Sequence, residues 1–364
     1  MLERYGHGGD LRTAEEAYGK PETGFLDFSS NMNPLGPPPV VRQILSEGWR
    51  DIVQYPDPAV RELRSKLSAK YNIPMESILV GNGAAELIDL TARVLKPQVT
   101  GLARPSFSEY EEAVHKSGGG IYNIPLHAQH QFVLQQQDVE AAQAAVDLLF
   151  LGHPNNPSGK LIPRDVLAML LQGDHPCVLD EAFMDFVPNE QEHSLLQHAA
   201  ESQRLVVLRS MTKFYSIPGI RLGFMVAHPD RIKLAQQLQV QWSVNYLAQR
   251  IGTAVLEDEA FEISSRQWLQ EEKLWLIQQL EQLGLDVVHG EVNFLLFSFP
   301  VSMGVTVKQA QQHMGQQGIL IRDASLFAGL NERYCRVAVR LREDNCRLIA
   351  GLHTMLSDLT QNRG

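Results

Sequence analysis

The chain has 364 residues, more than one hydrophobic core ordinarily fills, which calls for a large domain with a smaller companion. Its composition, 44% hydrophobic and 20% charged with a formal charge of -10, is that of a globular protein in water and excludes a broad nucleic-acid surface, although local basic pockets for anions stay open. Three cysteines, Cys177, Cys335 and Cys346, lack metal-ligand spacing, and neither a signal-peptide pattern nor an apolar run near the roughly 20 residues that span a bilayer is present, so a cytoplasmic protein with reduced thiols is expected.

The first 47 residues form an arm. It carries His7-Gly8-Gly9 and Asn31-Met32-Asn33-Pro34-Leu35-Gly36, is stiffened by Pro37 to Pro39, and leads into a helical pattern from Val40. This arm is expected to be extended and to complete the C-terminal part of the molecule. From 48 to 255, short apolar runs alternate with helical spacing: Ile78 to Val80, Gly101 to Ala103, Leu148 to Leu151, Cys177 to Leu179, Leu205 to Leu208 and Phe224 to Ala227. The alternation predicts an α/β domain with a mostly parallel, doubly wound sheet. Gln-rich patches at 129–143 and 236–241 read as solvated helix faces or flanks. From 256 to 364, a long helical pattern through Trp268, Leu274 and Leu280 reaches Gly284. Strands near Val287, Phe294 to Phe297, Leu320 to Arg322 and Arg336 to Val339 then predict a smaller α+β domain, with a ligand cleft between the two bodies.

Four places along this frame can carry chemistry. Gly81-Asn82-Gly83-Ala84-Ala85-Glu86 follows a strand and opens a helix, so the N–H groups of Ala84 and Ala85 can receive a phosphate; the same letters also make a plain strand-to-helix turn. His153-Pro154-Asn155-Asn156-Pro157-Ser158-Gly159 is a loop at a strand end, readable as a ligand loop or a simple Asn-Pro turn. Asp180 ends another strand at the edge where open α/β sheets bind ligands, or else caps a helix. Ser210, Lys213 and Arg221 place an amine between a hydroxyl and a counter-charge, a layout for an aldehyde cofactor bearing a phosphate ester.

The run from Leu208 to Gly223 resembles the lysine segment of fold-type I pyridoxal-phosphate enzymes, and the resemblance covers essentially the whole chain within their class I/II aminotransferase-like group. It implies pyridoxal 5'-phosphate on Lys213, its phosphate held by Ala84, Ala85, Ser210 and Arg221, its ring faced by Phe107, its phenolic oxygen met by Asn156 and its pyridine nitrogen by Asp180. Tyr55 matches a tyrosine that reaches the cofactor phosphate of the neighbouring subunit, which implies a homodimer. Within the group the chain resembles most the threonine-phosphate decarboxylases, with histidinol-phosphate aminotransferases next. Phe183 stands where many aminotransferases have a tyrosine bonded to the phenolic oxygen, and phenylalanine cannot make that bond. The decarboxylase resemblance implies an amino-phosphate substrate, O-phospho-L-threonine, gripped by His7, Gly8, Asn31, Asn156, Arg322 and Arg336. Strand-borne Arg340 and Arg342 read instead as surface residues with their heads in water. A cofactor-binding regulatory module, a third class, is disfavoured by the acidic balance and the lack of an N-terminal helix-turn-helix pattern.

Overall fold

The structure, a computed structural model, describes residues 8–361. In chain order its first strands are β1 (Leu26–Asp27), β2 (Ile78–Gly81), β3 (Val99–Arg104), β4 (Gly120–Pro125), β5 (Leu148–Gly152), β6 (Cys177–Asp180), β7 (Leu205–Ser210) and β8 (Gly223–Ala227). Seven of them form one sheet in the order β2-β8-β7-β6-β5-β3-β4, in which only β8 runs against its neighbours. The central strands are buried along their whole length because both faces are covered, which is why they read as continuous apolar runs. Leu149, Leu151, Leu179 and Val207 join the larger core, while Phe150, Val178 and Leu208 pack on the opposite side with Leu87 and Ile88 of the helix Ala84–Leu95.

Strand β4 has no counterpart in the sequence reading. It is the sheet edge, its residues are mostly half-buried or exposed, and the run Gly-Ile-Tyr-Asn-Ile-Pro is too polar to stand out. Six expected strands were placed correctly to within two residues at either end.

The remaining strands are β9 (Asp286–Val288), β10 (Phe294–Ser298), β11 (Ile319–Leu320), β12 (Arg322–Asp323) and β13 (Tyr334–Ala338). They build an antiparallel sheet β12-β13-β10-β9 and a parallel pair β1-β11. The single strand expected from Leu320 to Arg322 is therefore two: β11 receives the arm, and β12 turns to face β13. The arm is tied on further by the Ala338 amide, which donates to the Phe28 carbonyl at 2.8 Å.

The arm is not extended throughout. Leu11–Tyr18 is a helix, started by Asp10, whose carboxylate accepts the Thr13 amide at 3.1 Å, and seated by Ala14, which packs with Leu320. The long helix Glu259–Gln282, capped by Asp258, spans between the two bodies: Glu262 accepts from the Tyr215 hydroxyl at 2.9 Å and Trp268 donates to the Arg340 carbonyl at 3.2 Å. Arg340 and Arg342 do not simply project into water. Arg340 pairs with Asp344 at 2.9 Å and donates to the Asp27 carbonyl, and Arg342 pairs with Glu272 at 3.0 Å over the Trp275 ring. Among the described residues no helix is long and apolar enough to cross a membrane.

Candidate active site

Parallel strands deliver their carboxyl ends to one sheet edge, and here that edge carries Asp180 at the end of β6, Ser210 at the end of β7, and the loops that follow β2, β3 and β5. Facing them across a cleft of about 370 Å³ are the arm, β12 and β13. Lys213 lies in it, three residues past β7. Burial pushes its amine down to about 8, helped by the cations Arg221 and Arg336 and opposed by Asp180. An amine so shifted reaches its neutral form at much lower pH than an ordinary lysine, and a neutral amine is the nucleophile that an aldehyde requires.

Asp180 is fully placed by its neighbours. Its two oxygens accept from the Tyr110 hydroxyl at 2.7 Å and the Ala182 amide at 2.9 Å, and Tyr110 is itself stacked on Phe150 at 4.4 Å. Burial raises the carboxyl's pKa; those two hydrogen bonds and Lys213 work the other way without cancelling it. A buried carboxylate of this kind gains by meeting a cationic ring nitrogen. Phe107 lines the same wall, edge-on to Tyr110 at 5.7 Å.

A phosphate cradle forms at the start of the helix Ala84–Leu95. Gly83 has φ +82°, and a Cβ there would lie 2.4 Å from Arg221 Nη2, so only glycine lets the guanidinium rest against the helix entry. Arg221 is also in the left-handed region, at φ 60°, and donates to the Pro218 carbonyl at 3.2 Å. Ser210 and Thr212 share a 2.8 Å hydrogen bond beside it. The cation, paired hydroxyls and open helix N-terminus match a phosphate ester in size and charge. With Lys213 and Asp180 they fit pyridoxal phosphate.

On the opposite wall, Arg322 and Arg336 stand directly across from each other on β12 and β13, both buried. Arg336 donates to Asn156 Oδ1 at 2.7 Å and to the Ser29 carbonyl at 2.9 Å, which orients the Asn156 amide and anchors the arm. Asn31 is buried in the cleft; its carbonyl accepts from Asn293 at 3.0 Å, while its side-chain oxygen meets no donor among the described residues. Gly8 also lines the cleft, at a point where a Cβ would sit 2.2 Å from the Ser29 carbonyl oxygen. Phe183 is buried edge-on to Phe294, 5.0 Å between centroids.

The structure thus brings together the sequence candidates Gly8, Asn31, Ala84 and Ala85 with Phe107, Asn156 and Asp180, and these with Ser210, Lys213, Arg221, Arg322 and Arg336. His7 lies outside the described residues. Tyr55 is not in this cleft: it is 82% exposed, tilted against Trp242 at 5.2 Å. Sequence reasoning missed Tyr110, Thr212, Arg104 and Phe327, all of which line the cleft. Thr212 adjoins Lys213 and bonds Ser210, so the lysine run itself was the available sign for it; Tyr110, Arg104 and Phe327 are defined by partners on other elements.

The sequence profile described as aminotransferase class I and II matches residues 23–351. A threonine-phosphate decarboxylase from Salmonella typhimurium is 36% identical over 97% of this chain and 97% of its own length. A histidinol-phosphate aminotransferase from Moorella thermoacetica is 32% identical over 91% of this chain and 86% of its own. Among solved structures, the L-threonine-O-3-phosphate decarboxylase from Porphyromonas gingivalis superposes with a TM-score of 0.82 at 28% identity, covering 91% of this chain and 99% of that one.

Proposed function

The chain belongs to the class I and II aminotransferase family, with the fold-type I architecture and pyridoxal-phosphate chemistry of that family, and we propose that it decarboxylates O-phospho-L-threonine to (R)-1-amino-2-propanol O-2-phosphate, the precursor of the cobalamin aminopropanol linker. The observation that carries this reading is the pair of buried arginines, Arg322 and Arg336, facing each other across the cleft from Lys213. Like charges directly opposite on antiparallel strands repel, and a bound dianion relieves the repulsion while accepting from both planar guanidinium forks. The similarity to decarboxylases and the absence of a hydroxyl at Phe183 agree with it.

When bound, pyridoxal phosphate supplies an aldehyde for the substrate amine and a conjugated ring that takes up the electron pair released at Cα. Ala84, Ala85, Ser210 and Arg221 hold its phosphate, Asn156 donates to its phenolic oxygen, and Asp180, steadied by Tyr110, keeps its pyridine nitrogen protonated. On the substrate side, Arg322, Arg336, Asn31 and Gly8 hold the phosphate rather than the carboxylate, with His7 assigned to the same group. The carboxylate is therefore left free to depart as carbon dioxide. Lys213 then delivers a proton to Cα, in the place of the lost carboxyl group.

Residues 1–47 serve as the arm, 48–255 as the cofactor-binding domain and 256–364 as the linking helix with the small domain. The working unit is a cytoplasmic homodimer in which Tyr55 serves the neighbouring subunit's site.

The test is carbon dioxide release from O-phospho-L-threonine by the pyridoxal-phosphate-loaded protein without 2-oxoglutarate, with Lys213→Ala as the inactive control. Release supports the assignment. Glutamate formation from histidinol phosphate and 2-oxoglutarate, with no such release, would reassign the chain to the aminotransferase reaction.

A further inference from the structure

Two buried guanidinium groups directly opposite on neighbouring strands repel each other, so a group that packs against both bears on how they are spaced. The structure supplies one aromatic ring. The Arg322 Cζ lies over the Phe327 ring at 5.6 Å and the Arg336 Cζ over the same ring at 5.8 Å, both within cation–π range. Arg336 is also over Phe294, at 5.4 Å. Phe327 is itself only 8% exposed and lines the cleft, so both contacts lie in surroundings where water screens little.

The ring is held in place by its own loop. Asp323 accepts from the Ser325 amide at 2.8 Å and the Ser325 hydroxyl at 2.6 Å, the Ala324 amide donates to the Tyr334 carbonyl at 3.1 Å, and the Phe327 amide donates to the Ala324 carbonyl at 3.1 Å. Two residues on, Gly329 has φ +97°, and a Cβ there would sit 3.3 to 3.4 Å from the backbone and Cβ of Arg104 at the end of β3. The loop is hydrogen-bonded to β13 at one end and lies close against the rim of the large sheet at the other.

We propose that Phe327 is a specificity-determining residue: by presenting one ring to both Arg322 and Arg336 it sets the spacing of the two cations, so that the pair selects a phosphate dianion over a monocarboxylate. The inference rests on the reading of these arginines as the substrate-phosphate site. Its physical content is preorganisation. A guanidinium over a ring keeps its plane and position when the anion leaves, whereas without the ring Arg322 loses its contact in common with Arg336, which Asn156 and the Ser29 carbonyl hold, and the spacing suited to a dianion is relaxed.

The experiment measures binding of inorganic phosphate and of acetate to the pyridoxal-phosphate-loaded protein by calorimetry, comparing wild type with Phe327→Leu, Phe327→Met and Phe327→Tyr. The cofactor's visible absorption band serves as the check that the site is intact. Wild type should bind phosphate in preference to acetate. In Phe327→Leu that preference should fall at least about fivefold, equivalent to losing about 1 kcal/mol of cation–π stabilisation, and Phe327→Tyr should restore it. Phe327→Met, which keeps volume without a π face, should behave as Phe327→Leu and replaces it if the leucine variant fails to fold. An unchanged preference in the leucine or methionine variant overturns the role of Phe327 while leaving the arginine site standing. No preference for phosphate in wild type overturns both.

Discussion

At the scale of single residues, the cleft works by placing charges where water cannot screen them, and Lys213 is the clearest case. Its amine, held down to about 8 by burial and then by Arg221 and Arg336, is protonated and inert well below that pH and neutral above it. Condensation of apo protein with pyridoxal, which lacks the phosphate and so does not depend on the cradle, should accelerate with pH through a midpoint about 8 rather than near the usual lysine value of 10.5. Arg221→Gln removes one neighbouring cation and should move that midpoint upward; stopped-flow absorbance across pH 6.5 to 10 checks both, each pH being about half a unit apart. A downward movement would remove Arg221 from the causes. The cradle makes a second demand on a single atom. Gly83→Ala puts a Cβ at 2.4 Å from Arg221 Nη2 and a side chain at φ +82°, ψ 166°, so a backbone strain of about 1–3 kcal/mol should be accompanied by loosened cofactor. Equilibrium dialysis of pyridoxal phosphate should show at least about tenfold weaker retention, about 1.4 kcal/mol.

At the scale of elements, the ends of β6 and β7 are clamped together by a charge cluster on the side of the sheet away from Ser210. Arg209 is 1% exposed and meets Glu181 at 3.0 Å, Asp185 at 3.3 Å and Glu190 at 3.3 Å, with the Ser194 hydroxyl accepting at 3.1 Å and Tyr71 beneath it. Arg209 immediately precedes Ser210, and Glu181 immediately follows Asp180, so the clamp sets the two strand ends from which cofactor contacts are made. Arg209→Met would leave three carboxylates close together with their common cation gone. A loss of about 3–5 kcal/mol in urea unfolding is expected. Asp185 is the strained member: burial, then Glu190 and Glu262, raise it from 3.8 to about 6 against the pull of Arg209 and Lys70. Because the native state holds this proton more tightly than the unfolded chain, the contribution is complete below about pH 3.8 and is lost as pH rises through about 6. Asp185→Asn should therefore flatten the fall of stability between those limits relative to wild type, as read from urea midpoints at successive pH values.

The same elements show what the sequence could and could not reveal. Strands β5, β6 and β7 were legible because burial on both faces makes them apolar runs, and Asp180 and Lys213 were legible because they follow such runs. Edge strand β4 and the helix Leu11–Tyr18 were not, since one is half solvated and the other depends on docking Ala14 against Leu320. Tyr110 was hidden for another reason: its partner Asp180 is 70 residues away, and no local pattern announces that hydrogen bond.

At the scale of the whole molecule, the cleft is closed on one side by the arm, and the joint between them is Asn33. Its side-chain amide donates to the Phe214 carbonyl at 2.9 Å and to the Ser265 hydroxyl at 2.8 Å, while its backbone amide donates to the Lys213 carbonyl at 3.2 Å. The arm, the lysine segment and the long helix thus meet at one buried residue. Large apolar side chains stand exposed in the segments 49–55 and 240–242, namely Trp49, Ile52, Val53, Tyr55, Val240 and Trp242; Val53 is 85% exposed, and Tyr55 meets Trp242 to join the two segments. Such a patch on a folded protein calls for a partner, and a twofold axis lets the same patch cover its copy. Val53→Glu should convert a dimer into monomer in sedimentation velocity, with the fold kept because the side chain faces outward. Tyr55, exposed beside Trp242 and outside its own cleft, then predicts complementation between two inactive chains. Mixing Tyr55→Ala with Lys213→Ala under conditions of subunit exchange gives heterodimers with one site intact, its lysine from one chain and its tyrosine from the other. Random pairing predicts recovery of roughly a quarter of wild-type carbon dioxide release. If Tyr55 served its own chain, every site in the mixture would lack one of the two groups, and exchange would recover nothing beyond the residual activity of the Tyr55→Ala parent.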